Sequence, residues 1–250
     1  MLDILDCFQR IYVINLAERT DRRAEMEAEL AKVGLSWNAP GVHLFPAIRP
    51  PNCGEFPSIG ARGCFLSHLA VLKDAQRRGA ASVLILEDDV DFSPHLAADW
   101  PAVREALQSS PWSFFYGGYI VTPPLAADTS STRWIPSTSA VQTAHFLGLK
   151  RAAIDELIPY LEAMLERKAG DSAGGPMHVD GAYSWFRYAH PALLTLASLH
   201  QLGTQRASRT DIHDLRWFDR WHGVRFVAQR LRRLRRWRQR VRERNAGPSV

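Results

Sequence analysis

The stretch that decides the fold is Ser82-Val83-Leu84-Ile85-Leu86, and the acidic residues Glu87-Asp88-Asp89 follow it directly. An apolar run of this length is typical of a strand that is buried on both faces in the middle of a sheet. Such a strand needs helices above and below the sheet. The stretch therefore predicts an α/β fold whose central strand ends in a group of carboxylates.

Strand and helix patterns alternate on either side of this stretch. Short apolar runs predict strands at 11–16, 112–116 and 143–149, and helical spacing of apolar residues predicts helices at 21–33, 65–78, 94–107 and 151–168. Segments rich in proline, glycine or serine predict loops at 40–60, 121–139 and 170–176, with at most a short strand at 42–47. This alternation favours a sheet joined by right-handed crossovers.

Charge is distributed unevenly along the 250 residues. The net charge is +5, but 216–250 contains twelve arginines and two acidic residues and so carries +10, which leaves −5 on the rest. A hydrophobic content of 46% excludes a wholly disordered chain. Clusters of one sign usually act locally, on phosphates or on membrane surfaces.

The three cysteines, Cys7, Cys53 and Cys64, form an odd set without a close pair and cannot build a disulfide framework. A zinc site from Cys64, Cys53 and His43 is disfavoured by their spacing, so Cys64 is expected to be a small packing residue. The first residues lack the basic start of a signal peptide, and no apolar run reaches the ~20 residues that span a bilayer. We therefore expect a cytoplasmic protein.

Ligands of open α/β sheets bind beyond the carboxyl ends of the strands, where Glu87-Asp88-Asp89 lies. In an extended chain Glu87 and Asp89 would point one way and Asp88 the other, which predicts two convergent carboxylates. All-oxygen ligands of this kind suit Mg²⁺ or Mn²⁺. The alternative is a solvated acidic loop, or a cap for the helix that follows.

Three blocks of sequence, in this order, resemble glycosyltransferase family 25, the bacterial lipopolysaccharide and lipooligosaccharide galactosyltransferases with collagen galactosyltransferases as distant relatives. The blocks are Val13-Ile14-Asn15-Leu16 with Arg19, Arg22 and Arg23; Gly60-Ala61-Arg62-Gly63-Cys64-Phe65-Leu66-Ser67-His68; and Leu84-Ile85-Leu86-Glu87-Asp88-Asp89-Val90. Weaker matches extend the resemblance from residue 10 to about residue 213.

The resemblance implies a GT-A type nucleotide-sugar transferase fold, with a mixed, mainly parallel sheet and helices on both faces. It also implies a UDP-sugar donor, a divalent metal (Mn²⁺ or Mg²⁺) and inversion at the anomeric carbon. The metal ligands carried over are Asp89, Glu87 and Asp211, and the donor-binding residues are Asn15, Arg19, Ser67, His68, Glu87 and Asp88. Asp89 and Asp91 also form an Asp-x-Asp pattern, so the metal ligand assigned to Asp89 could instead be Asp91, two residues further on.

An inverting transfer needs a base that takes the proton of the acceptor hydroxyl. Asp180 is the preferred candidate, and Asp211 is the competitor or a further metal ligand. Ser67 and His68 are expected near the start of a helix, where they could cap it beside an anionic phosphate. For His68, a buried and hydrogen-bonded position is an equally weighted interpretation.

The segment 216–250 repeats apolar residues every three or four positions between arginines, which predicts an amphipathic C-terminal helix. Such a helix suits an anionic membrane surface, here the inner face of the cytoplasmic membrane. Docking on the protein's own body or on a partner helix is the alternative, and nucleic acid is disfavoured because no recognised motif accompanies the arginines. The predicted domains are therefore 1–215, catalytic, and 216–250, an Arg-rich tail.

Together these features predict an inverting, metal-dependent galactosyltransferase that uses UDP-galactose and a saccharide or lipid-linked glycan acceptor. A Mg²⁺-dependent phosphohydrolase is the weaker enzyme alternative, because the sequence offers no phosphate-gripping motif beside the carboxylates. A non-catalytic, membrane-recruited nucleotide-sugar-binding module is the second alternative.

Overall fold

The structure is a computed structural model that describes residues 2–122 and 130–206. All of these residues belong to one unit, Met1–Arg206. The predicted boundary at residue 215 and the predicted amphipathic helix at 216–250 lie outside the described residues.

Within the described residues, nine strands and five α-helices follow a short 3-10 turn at Ile4–Asp6. The strands are β1 (Arg10–Asn15), β2 (Val42–Pro46), β3 (Ser82–Glu87), β4 (Val90–Phe92), β5 (Phe114–Thr122), β6 (Thr132–Ile135), β7 (Ala140–Lys150), β8 (Thr195–Ser198) and β9 (Gly203–Gln205). The helices are α1 (Thr20–Lys32), α2 (Ile59–Arg77), α3 (Leu96–Ser109), α4 (Arg151–Leu165) and α5 (Val179–Ala189).

Seven strands form the main sheet in the order β2-β1-β3-β7-β5-β8-β6, and β4 pairs with β9 in a separate ribbon. Only β7 and β6 run against the other strands of this sheet. The mixed, mainly parallel sheet predicted from the sequence is therefore confirmed for the described part of the chain.

Helices cover both faces of the sheet, as predicted. On β3, Val83 and Ile85 join a buried cluster with residues of α2, α4 and α5. The alternate residues Leu84 and Leu86 join a second cluster with residues of α1 and α3. The unbroken apolar run is thus explained by burial on both faces.

Helix α2 begins six residues earlier than predicted. Ser58 caps it by accepting a hydrogen bond from the backbone N–H of Ala61 at 3.0 Å. The prediction that Ser67 and His68 lie near a helix start is wrong, since both fall well inside α2. Gly60, which the prediction placed in a loop, lies in the first turn of α2, and Gly63 serves close packing inside this helix: a Cβ at Gly63 would lie 2.7 Å from the carbonyl oxygen of Ile48.

Strand β5 continues past the predicted end at Gly117–Gly118 to Thr122, and Trp112 precedes it. These glycines also serve close packing, because a Cβ at Gly118 would lie 2.3 Å from the carbonyl oxygen of Gly203 and from Nε2 of His145. Strand β7 begins at Ala140, three residues before the prediction. Glycine in these strands marks a close approach of β9 and not a break.

The strands bring the predicted polar residues to one edge of the sheet. Because β1 and β3 are parallel neighbours, Asn15 and Glu87 end at the same edge. The chain then turns at Asp88 and Asp89 into β4. None of the described helices is long and apolar enough to cross a bilayer.

Candidate active site

Asp88 and Asp89 lie at the carboxyl edge of the sheet and are 7% and 6% exposed. Asn15, itself buried at the end of β1, donates from Nδ2 to Oδ2 of Asp88 at 2.7 Å. Arg22, in the first turns of α1, donates from Nη1 to Oδ1 of Asp88 at 2.8 Å and to Oδ2 of Asp89 at 3.4 Å. We call Asn15, Arg22, Asp88, Asp89 and Gln205 the acidic cluster.

Asp89 is the least satisfied member of the acidic cluster. Its Oδ2 accepts from Nε2 of Gln205 at 3.3 Å, whereas its Oδ1 is buried and has no hydrogen-bond partner among the described residues. Burial, followed by the charge of Glu87, raises the pKa of Asp89 to about 7, although Arg22 opposes this. A buried carboxylate oxygen with no donor is a position that a cation can fill.

A second polar cluster lies on the α2 side of the same edge. Glu87 Oε1 lies 3.3 Å from Nε2 of His68, and the Cys64 thiol lies 3.7 Å from that same oxygen. On the other side of the ring, Nδ1 of His68 lies 2.9 Å from the hydroxyl of Tyr183. We call Cys64, His68, Glu87 and Tyr183 the α2 cluster.

The predicted alternation of side chains is wrong beyond Glu87. Glu87 contacts α2, but Asp88 and Asp89 both contact Arg22 on α1. The reason is that β3 ends at Glu87 and the next two residues form a turn, so strand periodicity no longer applies.

Glu87 is ionised by its partners within the α2 cluster. Burial raises the pKa of Glu87, but the hydrogen bond and charge of His68 outweigh burial and leave this pKa below its ordinary value. The same surroundings raise the pKa of the Cys64 thiol well above its ordinary value, first by burial and then through the charge of Glu87. Cys64 is therefore a neutral thiol beside a carboxylate.

Asp180 lies in the first turn of α5, on the β7 side of the edge. Its Oδ2 accepts from the backbone N–H of Thr143 at 3.0 Å, and its Oδ1 accepts from that of Gly181 at 2.7 Å. Thr143 has a φ of 69°, a strained value for a β-branched residue, within a bulge of β7 opposite Tyr119. The bulge turns a backbone donor toward the predicted base.

Three predicted site residues lie in other surroundings. Arg19 pairs with Asp21 at 2.7 Å and its side chain is 36% exposed. Ser67 is buried and bonds the backbone at Gly63 and Ile48, so it joins a loop to α2. Asp91 pairs with Arg206 and not with the acidic cluster. Asp211 lies outside the described residues and stays a prediction.

Strand β9 covers the acidic cluster, which the sequence did not indicate. The backbone N–H of Arg206 donates to the carbonyl oxygen of Asp89 at 2.6 Å, and its guanidinium binds Asp91 and Glu25. Gln205 contributes the side-chain donor to Asp89. No local pattern in the sequence predicts this contact, because the residues that form it are more than a hundred positions apart.

Residues 8–119 match the profile of glycosyltransferase family 25, described as an LPS biosynthesis protein family. This region, somewhat less than half of the chain, therefore carries a glycosyltransferase family 25 match. The match includes Asn15, Arg22 and Asp89 of the acidic cluster, and Cys64, His68 and Glu87 of the α2 cluster. The partners Gln205 and Tyr183, and the predicted base Asp180, lie beyond the matched residues.

The curated proteins that this chain resembles include some with and some without a named activity. It is 30% identical to the bovine "probable inactive glycosyltransferase 25 family member 3", over 44% of this chain and 22% of that protein. It is 31% identical to zebrafish (Danio rerio) "procollagen galactosyltransferase 1", over 44% of this chain and 21% of that protein. The chain thus spans about a fifth of the length of these relatives.

Among solved structures, the chain is similar to a glycosyltransferase involved in the glycosylation of the major capsid of PBCV-1. The TM-score is 0.40 and the identity 12%, over 81% of this chain and 95% of that one. Protein A197 from STIV is similar at a TM-score of 0.39 and 10% identity, over 80% of this chain and 94% of that one.

Proposed function

We propose that this protein transfers galactose, with inversion, from UDP-galactose to a saccharide acceptor of a lipopolysaccharide or other surface glycan, assisted by Mn²⁺ or Mg²⁺. The match to glycosyltransferase family 25 supports sugar transfer as the general activity. The donor, the acceptor and the metal are the parts of the proposal that experiments must test.

The observation that carries the proposal is the buried, unpartnered Oδ1 of Asp89 among the described residues. The acidic cluster contains two carboxylates and one guanidinium. Burial and then the charge of Glu87 raise the pKa of Asp89 to about 7, so its ionised form needs a further positive charge for balance. A hard divalent cation supplies that balance and accepts only oxygen ligands here. Asp89, with Asp88 beside it, fits such an ion.

In this proposal the residues of the chain divide the work of donor binding. Asp89 would hold the metal, which when bound neutralises charge on the departing diphosphate. Asn15 fixes the orientation of Asp88 through the 2.7 Å hydrogen bond. Arg22 supplies a positive charge at the same edge, where it can bind a diphosphate oxygen once the metal balances the carboxylates.

The acceptor hydroxyl needs a carboxylate that is held in place but free to take a proton. Asp180 meets the first requirement, because Thr143 and Gly181 donate backbone hydrogen bonds to its two oxygens. It is partly exposed, so an acceptor can reach it. We propose Asp180 as the base, and Asp211 remains a second proposal.

One observation favours a different function, a non-catalytic binding module. The curated relatives include proteins named as inactive at about the same identity as a procollagen galactosyltransferase. Identity alone therefore does not separate an enzyme from a binding module, and turnover must be measured.

Hydrolysis of UDP-sugars in the presence of Mn²⁺ tests the proposal without an acceptor. We expect turnover with UDP-galactose that stops when the metal is chelated and in Asp89→Asn. The matched control is Asp91→Asn, which removes a carboxylate paired with Arg206 and should retain turnover. Binding of UDP without turnover by the unmodified protein would instead support the binding module.

The tail at 216–250 is proposed to attach the protein to an anionic membrane surface, the inner face of the cytoplasmic membrane. Its +10 charge supports attraction of about 1 kcal/mol for each arginine near the lipid. Flotation with anionic and neutral vesicles tests this proposal. Equal recovery with both vesicles, or unchanged recovery without 216–250, would contradict it.

A further inference from the structure

We propose that Cys64, His68 and Glu87 form a site for a thiophilic divalent cation, Zn²⁺, separate from the acidic cluster. One ligand atom from each residue lies within 4.8 Å of the other two. Two of the separations are 3.3 Å, from Glu87 Oε1 to His68 Nε2, and 3.7 Å, from the same oxygen to Cys64 Sγ.

Secondary structure provides the ligand geometry. Cys64 and His68 are four residues apart on α2, so their side chains lie on the same face of the helix. Glu87 is the last residue of β3, whose Val83 and Ile85 pack in the same buried cluster as α2. A helix and a strand end, both held by the core, therefore fix all three ligands.

The second ring nitrogen of His68 has the partner that a metal-binding histidine requires. Nδ1–H donates to the Tyr183 hydroxyl, 2.9 Å away, so when a metal replaces the proton that Nε2 donates to Glu87, the lone pair of Nε2 is presented to the metal. Ligating histidines nearly always have such an outer partner, which sets the tautomer and the ring orientation. Both His68 and Tyr183 are completely buried, so this orientation is fixed.

The ligand types select the metal. Sulfur, imidazole nitrogen and one carboxylate oxygen suit Zn²⁺, whereas the oxygen ligands of the acidic cluster suit Mg²⁺ or Mn²⁺. On binding, the Cys64 thiol and Nε2 of His68 each give a proton to solvent, and sulfur–zinc and nitrogen–zinc bonds form. Three protein ligands leave one coordination position, and the Glu87 side chain is 21% exposed, so water can occupy that position.

Binding of Co²⁺ to the full-length, metal-free protein tests the site. Co²⁺ gives an intense charge-transfer absorption when a thiolate is a ligand, and Zn²⁺ should abolish it by displacement. We expect one equivalent of such a signal in the unmodified protein. Tyr183→Phe should weaken binding about tenfold, as loss of an outer partner does.

Two matched variants assign the signal. Cys64→Ser should remove the thiolate absorption, while Cys53→Ser, a change at another partly buried cysteine, should keep it. Asp89→Asn should also keep it, because Asp89 belongs to the acidic cluster. These measurements do not depend on turnover. The zinc site can therefore be refuted while the proposed function stands, and the proposed function can be refuted while the zinc site stands.

Circular dichroism shows whether each variant is folded. A thiolate signal that survives in Cys64→Ser, or that disappears in Cys53→Ser, would overturn the proposal. So would the absence of thiolate absorption in the folded, unmodified protein. Cys64→Ser changes a single side-chain atom and is expected to fold even where a His68 variant does not.

Discussion

The acidic cluster and the α2 cluster lie next to each other at the end of β3 but differ in how their charges are satisfied. In the α2 cluster, Glu87 has His68 as a neighbour and its pKa stays below the ordinary value. In the acidic cluster, burial and then the charge of Glu87 raise the pKa of Asp89 to about 7, although Arg22, which pairs with both Asp88 and Asp89, opposes this. These neighbouring carboxylates thus have pKa values shifted in opposite directions, because they face different helices.

This difference indicates which of the two clusters needs a bound cation to balance its charge. The α2 cluster is internally hydrogen-bonded and is stable without a ligand, although its atoms can accept a soft cation. The acidic cluster contains a buried oxygen without a donor among the described residues. We therefore expect removal or addition of charge to act strongly at the acidic cluster and weakly elsewhere.

The largest effect is expected from Asp89→Asn. Turnover should fall by more than about a hundredfold. Loss of an outer partner of a metal ligand already costs up to about a hundredfold, and Asp89 is the proposed ligand itself. The metal-free variant should nevertheless be more stable than the unmodified protein at pH 8, by on the order of 2 kcal/mol, because a buried charge is removed.

The sign of this stability change follows from the raised pKa of Asp89. A carboxyl group whose pKa is raised to about 7 on folding stabilises the protein below its ordinary value of 3.8, and this contribution is lost as the pH rises through 7. Denaturant unfolding in a chelator, at pH 5 and pH 8, measures it. If Asp89→Asn raised the free energy of unfolding more at pH 5 than at pH 8, the raised pKa of Asp89 would be contradicted.

Arg22→Met should have the next largest effect. It leaves Asp88 and Asp89 without their guanidinium, and removal of one partner from a buried ion pair costs about 3 kcal/mol. Added Mg²⁺ should restore part of the lost free energy of unfolding. Arg19→Met is the control on the same segment, since the Arg19–Asp21 pair is exposed and is worth less than about 1 kcal/mol. Equal losses in both variants would show that Arg22 does not balance the acidic cluster.

Gly63→Ala tests the packing that positions the α2 cluster. The added Cβ would meet the carbonyl oxygen of Ile48 at 2.7 Å, so α2 or the loop must move, at a cost of about 1–3 kcal/mol. Gly60→Ala, in the first turn of the same helix, meets its nearest atom at 3.7 Å and should be neutral or stabilising. Thermal unfolding of the two variants distinguishes them, and an equal response would refute the packing argument.

The smallest effect is expected at Asp74, a carboxylate outside both clusters. Burial raises the pKa of Asp74, but the hydrogen bond from Tyr12 at 2.8 Å and the charges of Arg78 and Arg77 leave this pKa below the ordinary value. Tyr12→Phe should therefore cost about 1 kcal/mol near neutral pH.

For Asp74 the sign is opposite to that at Asp89. A lowered pKa gives stability that is present above the ordinary value of 3.8 and is lost as the pH falls through the folded-state pKa. The difference in the free energy of unfolding between Tyr12→Phe and the unmodified protein should become smaller in that acidic range. A difference that grows there would contradict the hydrogen bond to the ionised carboxylate.

The sequence predicted the parallel core of the sheet and the position of the carboxylates well, because both depend on local patterns. The apolar run before Glu87 was correctly interpreted as a strand buried on both faces. The start of α2 was missed, because Gly60 and Gly63 resemble helix breakers when the approach of Ile48 is unknown. Arg22 was noted within a motif, but its role in the acidic cluster was not predicted.

The sequence by itself determined the α/β class, the resemblance to glycosyltransferase family 25 and the presence of three consecutive acidic residues at a strand end. Only the tertiary structure decided which of these carboxylates share a partner. The turn after Glu87 ends the two-residue periodicity, and contacts with α1, α2 and β9 then distribute the charges. Such contacts join residues that are tens to more than a hundred positions apart, so no local pattern of sequence records them.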